Sequence, residues 1–356
     1  MRMLKLIIKA LSTNRQPVVA SDNAPLPVSR MEAKAVRGMH DDEPTLSELF
    51  FTDYNKRFCC AGTSRNDMAV LVANFVRNSS GNQVIITDAN SSTHVSNLPE
   101  MTTVTLESIR KNQLSFWPVI QLAFNSSDHS LKELAIITLR QTVCWLLDEY
   151  DPSSVLYSRE SLVSILESNP SSFSDVLSAL DINVPTAKAD IGIESLLGQG
   201  QFNFDTTGLL FIVDDLPASL THIFIALASL AGSVHLHDSM ETGLMIINEN
   251  VHYPARAKRS LIPFIASVLL TQDSAVVIRD QVTDGLYGDD DDPIYSICSH
   301  FLVFNGGVNM SVQYLRDAFS EVYPVEPHGD PGYFYVGAVN YQSHTSELLE
   351  IPRACQ

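Results

Sequence analysis

Residues 58–76 read Phe58-Cys59-Cys60-Ala61-Gly62-Thr63-Ser64-Arg65-Asn66-Asp67-Met68-Ala69-Val70-Leu71-Val72-Ala73-Asn74-Phe75-Val76. The short apolar run Phe58–Ala61 passes through a polar turn into Met68–Val76, an apolar stretch long enough for a helix. Gln83-Val-Ile-Ile-Thr-Asp88 follows as a second, β-branched run. Strand, turn, helix and strand in that order are the seed of a parallel sheet.

Further along, residues 104–199 read almost wholly helical. Ser130-Leu-Lys-Glu133 and Ser172-Phe-Ser-Asp175 are expected to start helices, and Pro152, Pro170 and Pro185 punctuate the block. Strands return after Gly200 at Gly208–Val213, Gly243–Asn248, Ala275–Arg279 and His300–Asn305, with helical stretches at Ala218–Ala231 and Ala257–Leu270 between them. Each strand is a continuous apolar run, the pattern of a parallel sheet buried on both faces. Residues 12–45, rich in Pro, Asn, Asp and Ser, read as an arm or linker.

Composition narrows the function. The 356 residues carry 23 Lys+Arg against 41 Asp+Glu, a net charge of −18, with 45% apolar residues. That apolar share supports a sizeable core, and the acid excess argues against strong nucleic-acid binding, which needs clustered Lys and Arg. Five cysteines without a CxxC pair fit a reducing compartment and argue against a zinc module. Lys5 and Lys9 interrupt the apolar residues at the N-terminus, so a signal peptide is not expected. Weak membrane contact through residues 1–15 stays open. Ser219–Leu236 approaches the length of a membrane span but contains His222, Ser229, Ser233 and His235, and reads as a buried helix. No transmembrane span is expected, and the location expected is cytoplasmic.

The turn after the first strand resembles the Walker A turn of the FtsK/HerA-like DNA-pumping and type IV secretion ATPases, which reads A-G-T-T-G-S-G-K-S before an apolar helix. Ala61, Gly62 and Thr63 and the helix Val70–Val76 match it in register. Arg65 and Asp67 stand at the later glycines, Met68 at the lysine, and Ala69 at the magnesium-binding Ser/Thr. In a working loop the glycines let backbone N–H groups curl round phosphate, the lysine neutralises it, and the hydroxyl holds Mg²⁺. Met68 and Ala69 supply neither charge nor oxygen. At ~4 Å and an effective dielectric near 20, the Asp67 carboxylate would repel each unit of phosphate charge by about 4 kcal/mol.

Later segments follow the family's order. Gly243-Leu-Met-Ile-Ile-Asn-Glu-Asn250 resembles Walker B, with Asn248 in place of the metal-shell Asp and Glu249 at the position of the base. Val276-Val-Ile-Arg-Asp-Gln-Val-Thr-Asp284 resembles the sensor segment, with Gln281 as its glutamine. Val213-Asp214-Asp215 is a second choice for Walker B; Asp214 would then be the metal-shell acid and Asp215 the base.

The resemblance implies an α/β fold, a RecA-like parallel sheet flanked by helices with an all-α insertion. It divides the chain into an arm and linker (1–45), a split core (46–103 and 200–320), the insertion (104–199) and a C-terminal extension (321–356). It implies a degenerate ATPase-like subunit with Gly62, Thr63, Asp67, Met68 and Ala69 as a phosphate loop stripped of its chemistry, and Glu249 and Gln281 as vestigial base and sensor. No cofactor or metal is expected. A protein partner is expected, either a related ATPase or another component of a secretion machine. An α/β adaptor unrelated to NTPases is one alternative. An active NTPase binding ATP and Mg²⁺ through an atypical loop is another.

Three other groups read as ordinary surface or loop. Asp289–Asp292 lacks the ligand spacing of a calcium loop. His235, His237 and Asp238 lack an identifiable further ligand. Arg256, Lys258 and Arg259 form a basic cluster that reads as a solvated helix face.

Overall fold

The computed structural model describes residues 34–38, 57–61, 72, 75–76, 79, 81–88, 101–147, 157–182, 193–202, 205–213, 216, 218–237, 243–248, 255–279, 282–283, 294, 297–304, 308–309, 333–340 and 345–352. The apolar runs become strands. In chain order these are β1 (Lys34–Gly38), β2 (Arg57–Ala61), β3 (Gln83–Thr87), β4 (Met101–Val104), β5 (Gly208–Ile212), β6 (Leu244–Asn248), β7 (Ser274–Arg279), β8 (Val282–Thr283), β9 (His300–Phe304), β10 (Val308–Asn309), β11 (Tyr333–Asn340) and β12 (Thr345–Pro352). Ten of them form one sheet in the order β1-β12-β11-β9-β2-β7-β6-β3-β5-β4. From β9 to β4 every neighbouring pair is parallel. β11, β12 and β1 then extend the β9 side antiparallel.

That extension departs from the expected arm and C-terminal segment. Tyr333–Asn340 and Thr345–Pro352 pair as a hairpin, and Lys34–Gly38 pairs with the second of them. Met101–Val104 adds a strand at the opposite edge, paired only with β5. Its burial pattern, with Met101 half-buried, Thr102 and Thr103 exposed and Val104 buried, is that of an edge strand rather than a continuous apolar run.

Helices lie between the strands. Those between β4 and β5 are α1 (Leu106–Asn112), α2 (Trp117–Phe124), α3 (His129–Leu146), α4 (Arg159–Glu167), α5 (Phe173–Ala179) and α6 (Ile193–Leu197); α7 (Ala218–His237) and α8 (Ala255–Thr271) follow. The Ser172 capping box forms as expected, with Asp175 reaching back to the Ser172 amide. The Ser130 box does not. Asp128 caps α3 by accepting from the Ser130 amide at 2.6 Å, while Glu133 pairs with Arg159 of α4. A further box starts α1, where Thr105 and Ser108 satisfy each other's amides.

Alternation along each strand sorts side chains onto two faces. Cys59, Val84, Ile86, Leu209, Phe211, Met245, Ile247, Ala275 and Val277 join α7, α8 and the helices after β4 in one continuous core. The helical block therefore shares its interior with the sheet. Phe116, fully buried, touches Phe202, Phe211 and Phe224 at ring-centroid distances of 5.0, 6.2 and 5.9 Å. On the opposite face Phe58 meets Phe75, from the helical residues after the loop, at 5.2 Å.

By length and composition Leu220–His237 could cross a membrane, yet 94% of it is buried inside the protein, as the central helix of this core. Its approach to the sheet depends on Gly232. A Cβ there would sit 2.6 Å from Val84 Cγ1 and 3.0 Å from Met245 Cε. Val84 is a branched side chain in a central strand and has nowhere to move. Gly232→Leu is expected to cost about 3 kcal/mol through overpacking, read as a lower urea midpoint. Gly232→Ala should lose less, since about 1 kcal/mol of helix propensity offsets part of the clash. Equal midpoints for Leu and wild type would refute this account of the contact.

Candidate functional site at the carboxyl edge of the sheet

In a parallel sheet with helices on both faces, ligands bind beyond the carboxyl ends of the strands, at the point where the strand order reverses. Here β2 is followed by β3 on one side, across β7 and β6, while β9 lies on its other side. The crevice of interest therefore lies at the end of β2. Ala61, Asn248, Thr87 and Arg279 end β2, β6, β3 and β7 on this one edge.

The surrounding scaffold holds β2 firmly. Arg57 at its start donates from Nε to the Leu269 carbonyl at 2.8 Å and from Nη2 to the Gln272 carbonyl at 2.8 Å. Leu269 lies in the last turn of α8 and Gln272 just beyond it, where a cation also meets the negative end of the helix dipole. Gln83, first residue of β3, donates from Nε2 to the Val76 carbonyl at 2.8 Å and so ties down the helical residues that follow the loop. Cys60, near the end of β2, is fully enclosed. Burial, with the neighbouring Cys59 and Cys298, pushes its thiol well above the ordinary range, so it is no nucleophile.

Asn248 is 5% exposed and donates from Nδ2 to Thr87 Oγ1 at 3.2 Å. The two residues share the faces of Ile246 and Ile85, which places them on the side of the sheet covered by the helical residues after the loop. Between β2 and β6 lies β7, whose Arg279 is the register partner of Ala61 and whose Ile278 is that of Asn248. Arg279 is 4% exposed, and alternation along β7 puts it on the face of Ala275 and Val277, opposite that of Asn248. Thr87 and Arg279 carry no weight in the sequence reading. The available signal was a polar residue closing an otherwise apolar strand.

The strand order also separates the two choices for the acidic strand end. At about 4.8 Å per strand, β6 ends about 10 Å from β2, whereas β5, which precedes Asp214, ends about 19 Å away. Gly62, Thr63, Asp67, Met68, Ala69, Glu249 and Gln281 lie outside the described residues, as do Asp214, Asp215, Asp289–Asp292 and residues 1–15. Arg256, Lys258 and Arg259 fall in the first turns of α8. His235 and His237 belong to α7 rather than to a loop; two residues apart on a helix, they point to different sides. His235 is buried, and His237 is exposed with its Nδ1 3.5 Å from Asp128.

No protein-family model and no curated protein sequence matches the chain. Among solved structures, VirB4 of Thermoanaerobacter pseudethanolicus superposes with a TM-score of 0.55 at 9% sequence identity, covering 86% of this chain and 91% of that one. At that identity the likeness is one of fold. The chain shares the α/β fold of that VirB4 structure, a RecA-like parallel sheet flanked by helices.

Proposed function

We propose that this chain is a catalytically degenerate P-loop ATPase-like subunit, acting in the cytoplasm as a scaffold or regulatory component of a secretion or DNA-transfer machine. The observation that carries the reading is the strand order. A single strand, β7, separates the loop-bearing β2 from β6, as additional-strand ATPases require between their Walker A and Walker B strands. An unrelated α/β adaptor would have no reason to reproduce that order together with Ala61-Gly62-Thr63 at the end of the first strand.

Degeneracy rests on residue chemistry. Met68 and Ala69 bring no charge or oxygen to a phosphate, Asp67 repels one, and Asn248 offers an amide where a metal shell needs a carboxylate. Retaining the fold without the chemistry leaves protein contact as the function, and the partner proposed is a related ATPase or another machine component.

Arg279 favours a second reading, an active NTPase whose phosphate charge is met by an arginine from β7 rather than by the loop. Fluorescence titration of the unmodified chain with labelled ATP and Mg²⁺ separates the two. The scaffold reading expects no saturable binding at micromolar nucleotide, for the unmodified chain and for Arg279→Met alike. Saturable binding that Arg279→Met weakens by tenfold or more would replace it with the active-NTPase reading.

A further inference from the structure

The main sheet ends in β1 on one side and β4 on the other, and the two ends are built differently. An edge strand presents a row of backbone N–H and C=O groups that invites a further strand, and sheets guard such edges with charge, proline or a bulge. At one end β1 carries Lys34 and Arg37, and its pairing with β12 slips between Ala35 and Arg37. Both features discourage another partner. At the other end β4 reads Met101-Thr102-Thr103-Val104, without charge or proline, in unbroken register with β5 from Met101 opposite Gly208 to Val104 opposite Phe211. Thr102 and Thr103 are exposed, and among the described residues no strand pairs with the outer side of β4. β-branched residues of this kind suit a pleated ladder.

What covers a backbone edge is another strand, and the surroundings favour one from a second copy. With a net charge of −18, two copies repel each other overall. Around β4 the exposed charges nearly cancel: Glu107, Glu194 and Asp205 stand against Arg110 and Lys111, on α1, α6 and the approach to β5. With both signs present, a copy turned about a two-fold axis normal to the sheet can set acids of one chain against cations of the other. Residues opposed across that axis share a face, so Thr102 meets Thr102 of the second copy or Thr103 meets Thr103. Threonine opposite threonine is a favourable cross-strand pair. We propose that β4 is a self-association edge, through which two copies of this chain pair antiparallel and join their ten-stranded sheets into one. Since β4 lies five strand spacings, about 24 Å, from β2, this contact is separate from the nucleotide question.

The test uses the full chain. Sedimentation equilibrium should show a weak dimer, half-formed on the order of tens of micromolar, because a four-residue ladder is a small contact. Thr102→Lys/Thr103→Lys sets like charges opposite one another in either register and should weaken the dimer at least tenfold, as should Thr102→Glu/Thr103→Glu. Both positions are exposed, so thermal melting should stay within a few degrees. Mixing the Lys and Glu variants should restore a dimer at least as tight as that of the unmodified chain, an outcome that misfolding cannot imitate. In the unmodified protein, the amides of residues 101–104 should exchange several-fold more slowly at about 200 µM than at about 2 µM, which reads the edge without any substitution. A chain still monomeric at about 200 µM would overturn the proposal. So would a dimer whose affinity neither charged variant alters, or a mixture that associates no more tightly than either variant alone.

Discussion

Asp67→Gly/Met68→Lys/Ala69→Ser is expected to convert a chain with no calorimetric response to micromolar MgATP into one that binds it measurably, and phosphate release should appear only once Asn248→Asp is added. Two defects are separable. On the degenerate-loop reading Met68 and Ala69 stand where a lysine and a hydroxyl are needed and Asp67 would oppose the phosphates, so repairing the three restores the attractive terms of binding. Turnover also needs an acid on β6 to organise the Mg²⁺ shell. Asn248 is buried and donates to Thr87 Oγ1, so it holds a place in the fold whatever its place in the proposed motif. An aspartate there can only accept, and the Thr87 hydroxyl must turn to donate to it. That exchange keeps the hydrogen bond, which is why Asn248→Asp should fold. Hydrolysis by the triple variant without Asn248→Asp would refute the division into two defects.

Phe116→Ala should destabilise the chain by about 3–5 kcal/mol, the range for removing a buried aromatic ring. The side chain has no exposed surface and packs among Phe202, Phe211 and Phe224, which come from the end of the helical block, from β5 and from α7. Removing it empties the seam between the helices after β4 and the sheet. Denaturant unfolding followed by both tryptophan fluorescence and far-ultraviolet circular dichroism reads the effect. Both tryptophans, Trp117 and Trp145, lie in the helical block and are buried, so their fluorescence reports on that block. The two probes should shift together, because one core spans both parts. A fluorescence transition that moves while the circular dichroism transition stays would show a block that unfolds alone.

The strands β3, β5, β6, β7 and β9 were legible in the sequence within a residue or so, because burial on both faces demands unbroken apolar runs and such runs are local. The Ser172 box was legible for the same reason: its donors and acceptors lie within four residues. Asp128 over Ser130 was not, since the contact drawing Glu133 away comes from Arg159, on the next helix. Nor were β1, β11 and β12, whose pairing spans from residue 34 to residue 352. The proposed lack of a lysine, a hydroxyl and a carboxylate at Met68, Ala69 and Asn248 was read from residue identities alone, because chemistry belongs to the side chain wherever it sits. Neighbourhood does not. An apolar run says that a strand is covered without saying by what, and only the folded chain put β7 between β2 and β6, Arg279 beside Ala61 and Thr87 beneath Asn248. Those are contacts between residues from about 160 to more than 200 positions apart, decided by which faces must be buried together rather than by any stretch of sequence.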